Sequence, residues 1–133
     1  MATAVAPSTR LLTADEFAEF VHRPENDGRF FELERGEIIE KPPPVEVHGA
    51  VCANTGRILG NFTFARGHGH VCTNDTGVII ETEPDTVRGI DVTLYDDNRP
   101  FSKLDQRYSQ RIPTLTVEVL SPDARPGKTM RRV

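Results

Sequence analysis

TLTVEVLSP (residues 114–122) is a β-branched run with a carboxylate, Glu118, at its centre. Side chains alternate across a strand, so Leu115, Val117 and Val119 share one face while Thr116, Glu118 and Leu120 share the other. GIDVTL (residues 89–94) alternates in the same way: Ile90, Val92 and Leu94 point one way, Asp91 and Thr93 the other. Each stretch is apolar on one side and carries one acid on the opposite side. As neighbours in a sheet, the two strands bring Asp91 and Glu118 face to face, and two such carboxylates repel unless a cation or a shared proton intervenes. A hard divalent ion, Mg²⁺ or Mn²⁺, suits oxygen ligands of this kind. The alternative from periodicity alone is that both acids lie on a solvated sheet face, which antiparallel sheets allow.

Chain length and composition bound what this pair can belong to. At 133 residues the chain has room for one core and one domain. Its formal net charge of −4 gives no general attraction to polyanions, so nucleic-acid contact has to rest on a local basic patch. No window approaches the roughly 18 apolar residues that a membrane helix needs. MATAVAPSTRLL lacks the apolar core of a secretory signal, so Cys52 and Cys72 are expected to be reduced thiols in a cytoplasmic protein.

Upstream, residues 1–10 are small and polar and are expected to be disordered. Thr13 and Glu16 have the spacing of a capping box, which predicts a short helix ending before Pro24. FFELERGEIIEK reads as a hairpin about Arg35-Gly36. The spacing of Val47, Val51, Ile58, Leu59 and Phe62 predicts an amphipathic helix over 45–66, with Gly67 at its C-terminal cap. A short extended piece, a turn at Asn74–Gly77, a strand from Val78, a turn at Glu83–Thr86 and a strand through Tyr95 follow. Residues 96–113 read as a polar surface excursion, and KTMRRV as the first turns of a further helix.

These segments, FELERGEIIEKPPPVEVHG, NDTGVIIETEPDTVRGIDVTL and TLTVEVLSPDARPG, resemble the Uma-type family of restriction-endonuclease-like proteins, related in fold to the PD-(D/E)XK nucleases. The resemblance implies an α/β (α+β) fold, a mixed β-sheet flanked by helices, over residues 11–133. It also implies a C-terminally incomplete domain, because the family's last helix and the strand after it are cut short. Asp91 and Glu118 match the family's metal-binding acids, and Glu32 matches a supporting acid of the first strand. Ile90 stands where relatives carry Pro, and Leu120 where the superfamily pattern has Lys. In this branch the Lys moves to the following helix, where Arg132 is the best match and Lys128 lies one turn earlier on the same face. Arginine stays protonated and cannot serve as a base, whereas a lysine can position or deprotonate a water.

The function so implied is metal-dependent endonucleolytic hydrolysis of phosphodiester bonds in DNA. Asp91, Glu118 and the main-chain carbonyl of Val119 would hold Mg²⁺ or Mn²⁺, and Lys128 or Arg132 would meet the phosphate. DNA is the expected partner, a homodimer is compatible with the shortened core, and a membrane is not expected. An alternative is a catalytically inactive module of the same fold that binds nucleic acid or protein. A third is a Zn²⁺-stabilised structural domain, because His48, Cys52, His68, His70 and Cys72 offer imidazole and thiolate ligands, although without a common zinc spacing. Asp75 reads as a turn residue capping backbone amides, with catalysis the lesser alternative. Ser121 reads as a turn residue, and no phosphate-binding glycine loop is present.

Overall fold

The computed structural model describes residues 10–121 and the backbone of Thr3–Ala4. In chain order the elements are β1 (Thr3–Ala4), α1 (Ala14–Val21), β2 (Phe30–Glu34), β3 (Glu37–Lys41), α2 (Glu46–Arg66), β4 (His70–Cys72), β5 (Thr76–Glu81), β6 (Thr86–Ile90), β7 (Val92–Tyr95) and β8 (Leu115–Val117). They form two antiparallel sheets, one ordered β1-β3-β2-β6-β5 and the other β4-β7-β8. The helix predicted at KTMRRV lies outside the described residues.

Local chemistry sets the first half of the chain. The Thr13 hydroxyl accepts from the Glu16 amide and the Glu16 carboxylate accepts from the Thr13 amide, so α1 starts with the expected capping box. The Asp85 carboxylate accepts from the Ala14 amide at 2.7 Å, fixing the helix start to the β5–β6 turn. Arg35 and Gly36 have φ of 48° and 82°, both left-handed, which is the requirement of a two-residue hairpin turn whose twist matches its strands. A Cβ on Gly36 would also collide with Leu11, so this position needs glycine twice over. Phe17 of α1 packs with Leu33 of β2 and Val87 of β6 to make the core, and the Tyr108 ring stacks on Phe17 at 5.5 Å between centroids. Each such fully buried side chain contributes about 1.5–3 kcal/mol.

Three expectations are corrected. The strand expected to run through Tyr95 is broken at Asp91: Ile90 ends β6 in the first sheet, and Val92 begins β7 in the second. The excursion at 96–113 is not wholly superficial, because Ser109 is buried and bridges β5 in parallel, its carbonyl accepting from Ile79 and its amide donating to Gly77. The helix at 46–66 forms and ends on Gly67 with φ of 74°, but none of its side chains is buried, and Val47, Val51, Ile58 and Phe62 remain exposed. Glycines at 56 and 69 let this helix approach β4 and β7 through backbone and threonine methyls, so its large apolar side chains are turned elsewhere.

Candidate metal centre

Asp91 occupies the joint between the two sheets and is 6% exposed. Its position follows from the break just described: β6 leaves one sheet and β7 enters the other with a single residue between them. Strand β8 pairs antiparallel with β7 in the register Val92–Val117 and Thr93–Thr116. This pairing ends at Val92–Val117, and Glu118 follows directly on the last residue of β8 as Asp91 directly precedes the first of β7. Asp91 Oδ2 accepts from the Val119 amide at 2.7 Å, a short charge-assisted bond that brings the main chain of Val119 beside this carboxylate. Its other oxygen, Oδ1, lies 3.0 Å from His48 Nε2 on the first turn of α2.

A third acid joins them. Asp75 sits in the β4–β5 turn with a left-handed φ of 54°, beside Asn74 at 67°. Its residue surface is largely exposed, yet its carboxyl faces that of Asp91. Partial burial, then a shared hydrogen bond with Asp91 and then that group's charge push the Asp75 carboxyl above its ordinary value, while Lys41 and His48 pull the other way. Gly89 permits this approach, because a Cβ there would come within 2.9 Å of the Asp75 carbonyl oxygen. Cys52, one helical turn after His48, feels the same field. Its thiol is pushed up to about 11 by burial first, and then by the charges of Asp91, Asp75 and Glu118.

Glu32 lies at the edge of this cluster. It is buried on β2, accepts from the Gly89 amide at 2.9 Å, and has Lys41 at 3.5 Å and Arg88 at 3.6 Å. It therefore ties β2 to the residues leading into Asp91. Lys41 is close enough to act on both Glu32 and Asp75. Lys128 and Arg132 lie outside the described residues.

The structure thus bonds Asp91 to the Val119 amide, and Glu32 to the Gly89 amide two residues before Asp91. His48, Asp75 and Lys41 were not read as parts of this centre. Asp75 carried a weak signal in its turn motif, whereas the contact of His48 with Asp91 spans 43 positions and leaves no mark on local spacing. The five His and Cys side chains considered for zinc do not gather. His68 pairs with Asp96 at 2.9 Å, His70 stacks on the Tyr95 ring at 4.8 Å, and only His48 and Cys52 join the acids. The residues present fit a cation: the carboxyls of Asp91, at the sheet joint, and Asp75, in a turn, converge, and like charges in a partly buried site are unfavourable until one is protonated or a positive ion is bound.

Among the described residues, two α-helices and two antiparallel sheets, with this acid cluster at the joint of the sheets, define an α+β protein of restriction-endonuclease-like architecture. The family model described as "Uma2: Putative restriction endonuclease" matches residues 17–131, and the chain belongs to that family. No curated protein matches the chain. Family membership indicates a nuclease-like function, with DNA as the substrate class and divalent metals in general use. Among the described residues, no helix is long and apolar enough to cross a membrane.

Proposed function

We propose that this protein is a metal-dependent endonuclease that hydrolyses phosphodiester bonds in DNA. The observation that carries the reading is the Asp91 carboxyl at the sheet joint, bonded to the Val119 amide and met by the Asp75 carboxyl, with Glu118 the residue before Val119. Asp91, Glu118 and the main-chain carbonyl of Val119 would hold Mg²⁺ or Mn²⁺, with Asp75 as an additional oxygen donor. Such an ion supplies Lewis acidity toward a phosphoryl oxygen and lowers the pKa of water. The protein's own groups do the rest. His48 and the Val119 amide hold the two oxygens of Asp91 in place, and Glu32 fixes the backbone at Gly89. A lysine would stabilise charge developing on the phosphate, from Lys41 beside the acids or from Lys128, with Arg132 in a supporting role. The homodimer is part of this proposal, and sedimentation velocity reads it directly.

The test is nicking of supercoiled DNA in Mg²⁺ or Mn²⁺. Asp91→Asn and Glu118→Gln are each expected to lower the rate at least about 100-fold, because an uncharged amide is a poor ligand for a hard cation. Cleavage unchanged by both substitutions would overturn the assignment. A second reading, a nuclease fold that binds nucleic acid or protein without cutting, is favoured by Ile90 standing where relatives carry Pro and by Arg132, which cannot serve as a base, as the best match to the branch's lysine. A shift of DNA mobility with no cleavage in either metal would select it.

A further inference from the structure

Cys52 has no part in the hydrolytic reading, yet with His48 and Asp91 it presents a second set of donors. One ligand atom from each lies within 4.8 Å of the others, and all three residues are buried or half-buried. His48 and Cys52 are four residues apart on α2, so both project from one face of the helix toward the sheet joint. Asp91 contributes Oδ1, the oxygen that already faces the imidazole. The negative groups Asp75 and Glu118 lie near enough to influence Cys52, so the field at this point favours a positive ion. Imidazole, thiolate and carboxylate together are a poor set for Mg²⁺, which takes oxygen, and a good one for Zn²⁺ and ions that resemble it.

We propose that His48, Cys52 and Asp91 form a three-ligand site for a thiophilic divalent cation of the Zn²⁺ class, on the α2 side of the Asp91 carboxylate. Tetrahedral coordination with Zn–N and Zn–S bonds of about 2.0 and 2.3 Å places ligand atoms about 3.5 Å apart. His48 Nε2 and Asp91 Oδ1 already stand 3.0 Å apart, so the closure falls to Cys52, a movement within reach of side-chain torsions on a helix whose side chains are not locked in a core. The ion displaces the Cys52 thiol proton to solvent, and the fourth coordination position is left to water or another ligand. This binding does not depend on hydrolysis. One consequence does rest on the endonuclease reading: an ion here draws on the charge of Asp91, so it weakens binding of a hard ion between Asp91 and Glu118.

The experiment is a Co²⁺ titration of the full chain after removal of metals with a chelator, followed by absorption. The expected result is a thiolate-to-Co²⁺ charge-transfer band in the near ultraviolet that saturates at one ion per chain. Cys52→Ser abolishes the band, Cys72→Ser leaves it intact, and His48→Gln and Asp91→Asn each weaken Co²⁺ affinity at least tenfold, with far-ultraviolet circular dichroism confirming that each variant is folded. No band in the unsubstituted protein overturns the site, as does a band that survives Cys52→Ser or disappears in Cys72→Ser. The two readings separate cleanly: DNA cleavage in Mg²⁺ without the band removes this site alone, and the band without cleavage removes the endonuclease alone.

Discussion

Asp75 and Asp91 show how one contact converts a surface turn into an electrostatic liability. With the folded-state value of Asp75 raised above its ordinary 3.8, the unfolded chain ionises first as pH rises, and folding takes up a proton in the interval between the two values. The Asp75 contribution to stability of the metal-free protein therefore falls as pH climbs from 3.8 through the raised value, and stays lower above it. Asp75→Asn removes that slope. The expected outcome in a chelator is a variant that melts higher than the parent at neutral pH and matches it near pH 4, read by thermal denaturation across pH. A difference between variant and parent that does not grow over that interval contradicts the repulsion. Added Mg²⁺ is expected to raise the parent's melting temperature more than that of the variant, because the cation offsets the charge that Asn lacks.

Elements differ sharply in how their residues hold them. The short helix α1 is secured at its first turn by Thr13, Glu16 and Asp85, and on its inner face by Phe17. Thr13→Ala is expected to cost about 1 kcal/mol in a denaturant melt, because one side-chain acceptor for the helix amides is lost. The long helix α2 is the opposite case, with no buried side chain over 21 residues and three internal glycines. Its backbone is stabilised mainly by its own hydrogen bonds, and glycine weakens these by about 1 kcal/mol per position relative to alanine. Hydrogen exchange is expected to show α2 amides opening well before those of β2 and β6 around Leu33 and Val87; equal protection would show α2 to be part of the same cooperative unit. This matters for the site, because His48 and Cys52 ride on that helix.

For the whole molecule, stability is concentrated between α1 and the five-stranded sheet, while the candidate chemistry lies at the joint with the smaller sheet. Leu33→Ala, at a side chain with no exposure, is expected to cost about 3 kcal/mol by equilibrium unfolding, through lost transfer energy and the cavity left behind. Much of this arrangement was legible in the residues themselves. The capping box, the Arg35-Gly36 turn and the glycine end of α2 are local patterns, each set by backbone geometry over a few positions. Family resemblance pointed to Asp91, Glu118 and Glu32 as acids of one centre. What local pattern could not reveal were the break at Asp91, the carboxyl of Asp75 turned toward that residue, and the contact of His48 across 43 positions. Periodicity reports which side of an element is apolar, and so predicts which residues share a face. Where one element stops pairing with its sheet and which distant side chain meets it are set by packing of the whole chain. That is why the acids could be read from the strands, and their neighbours only from the fold.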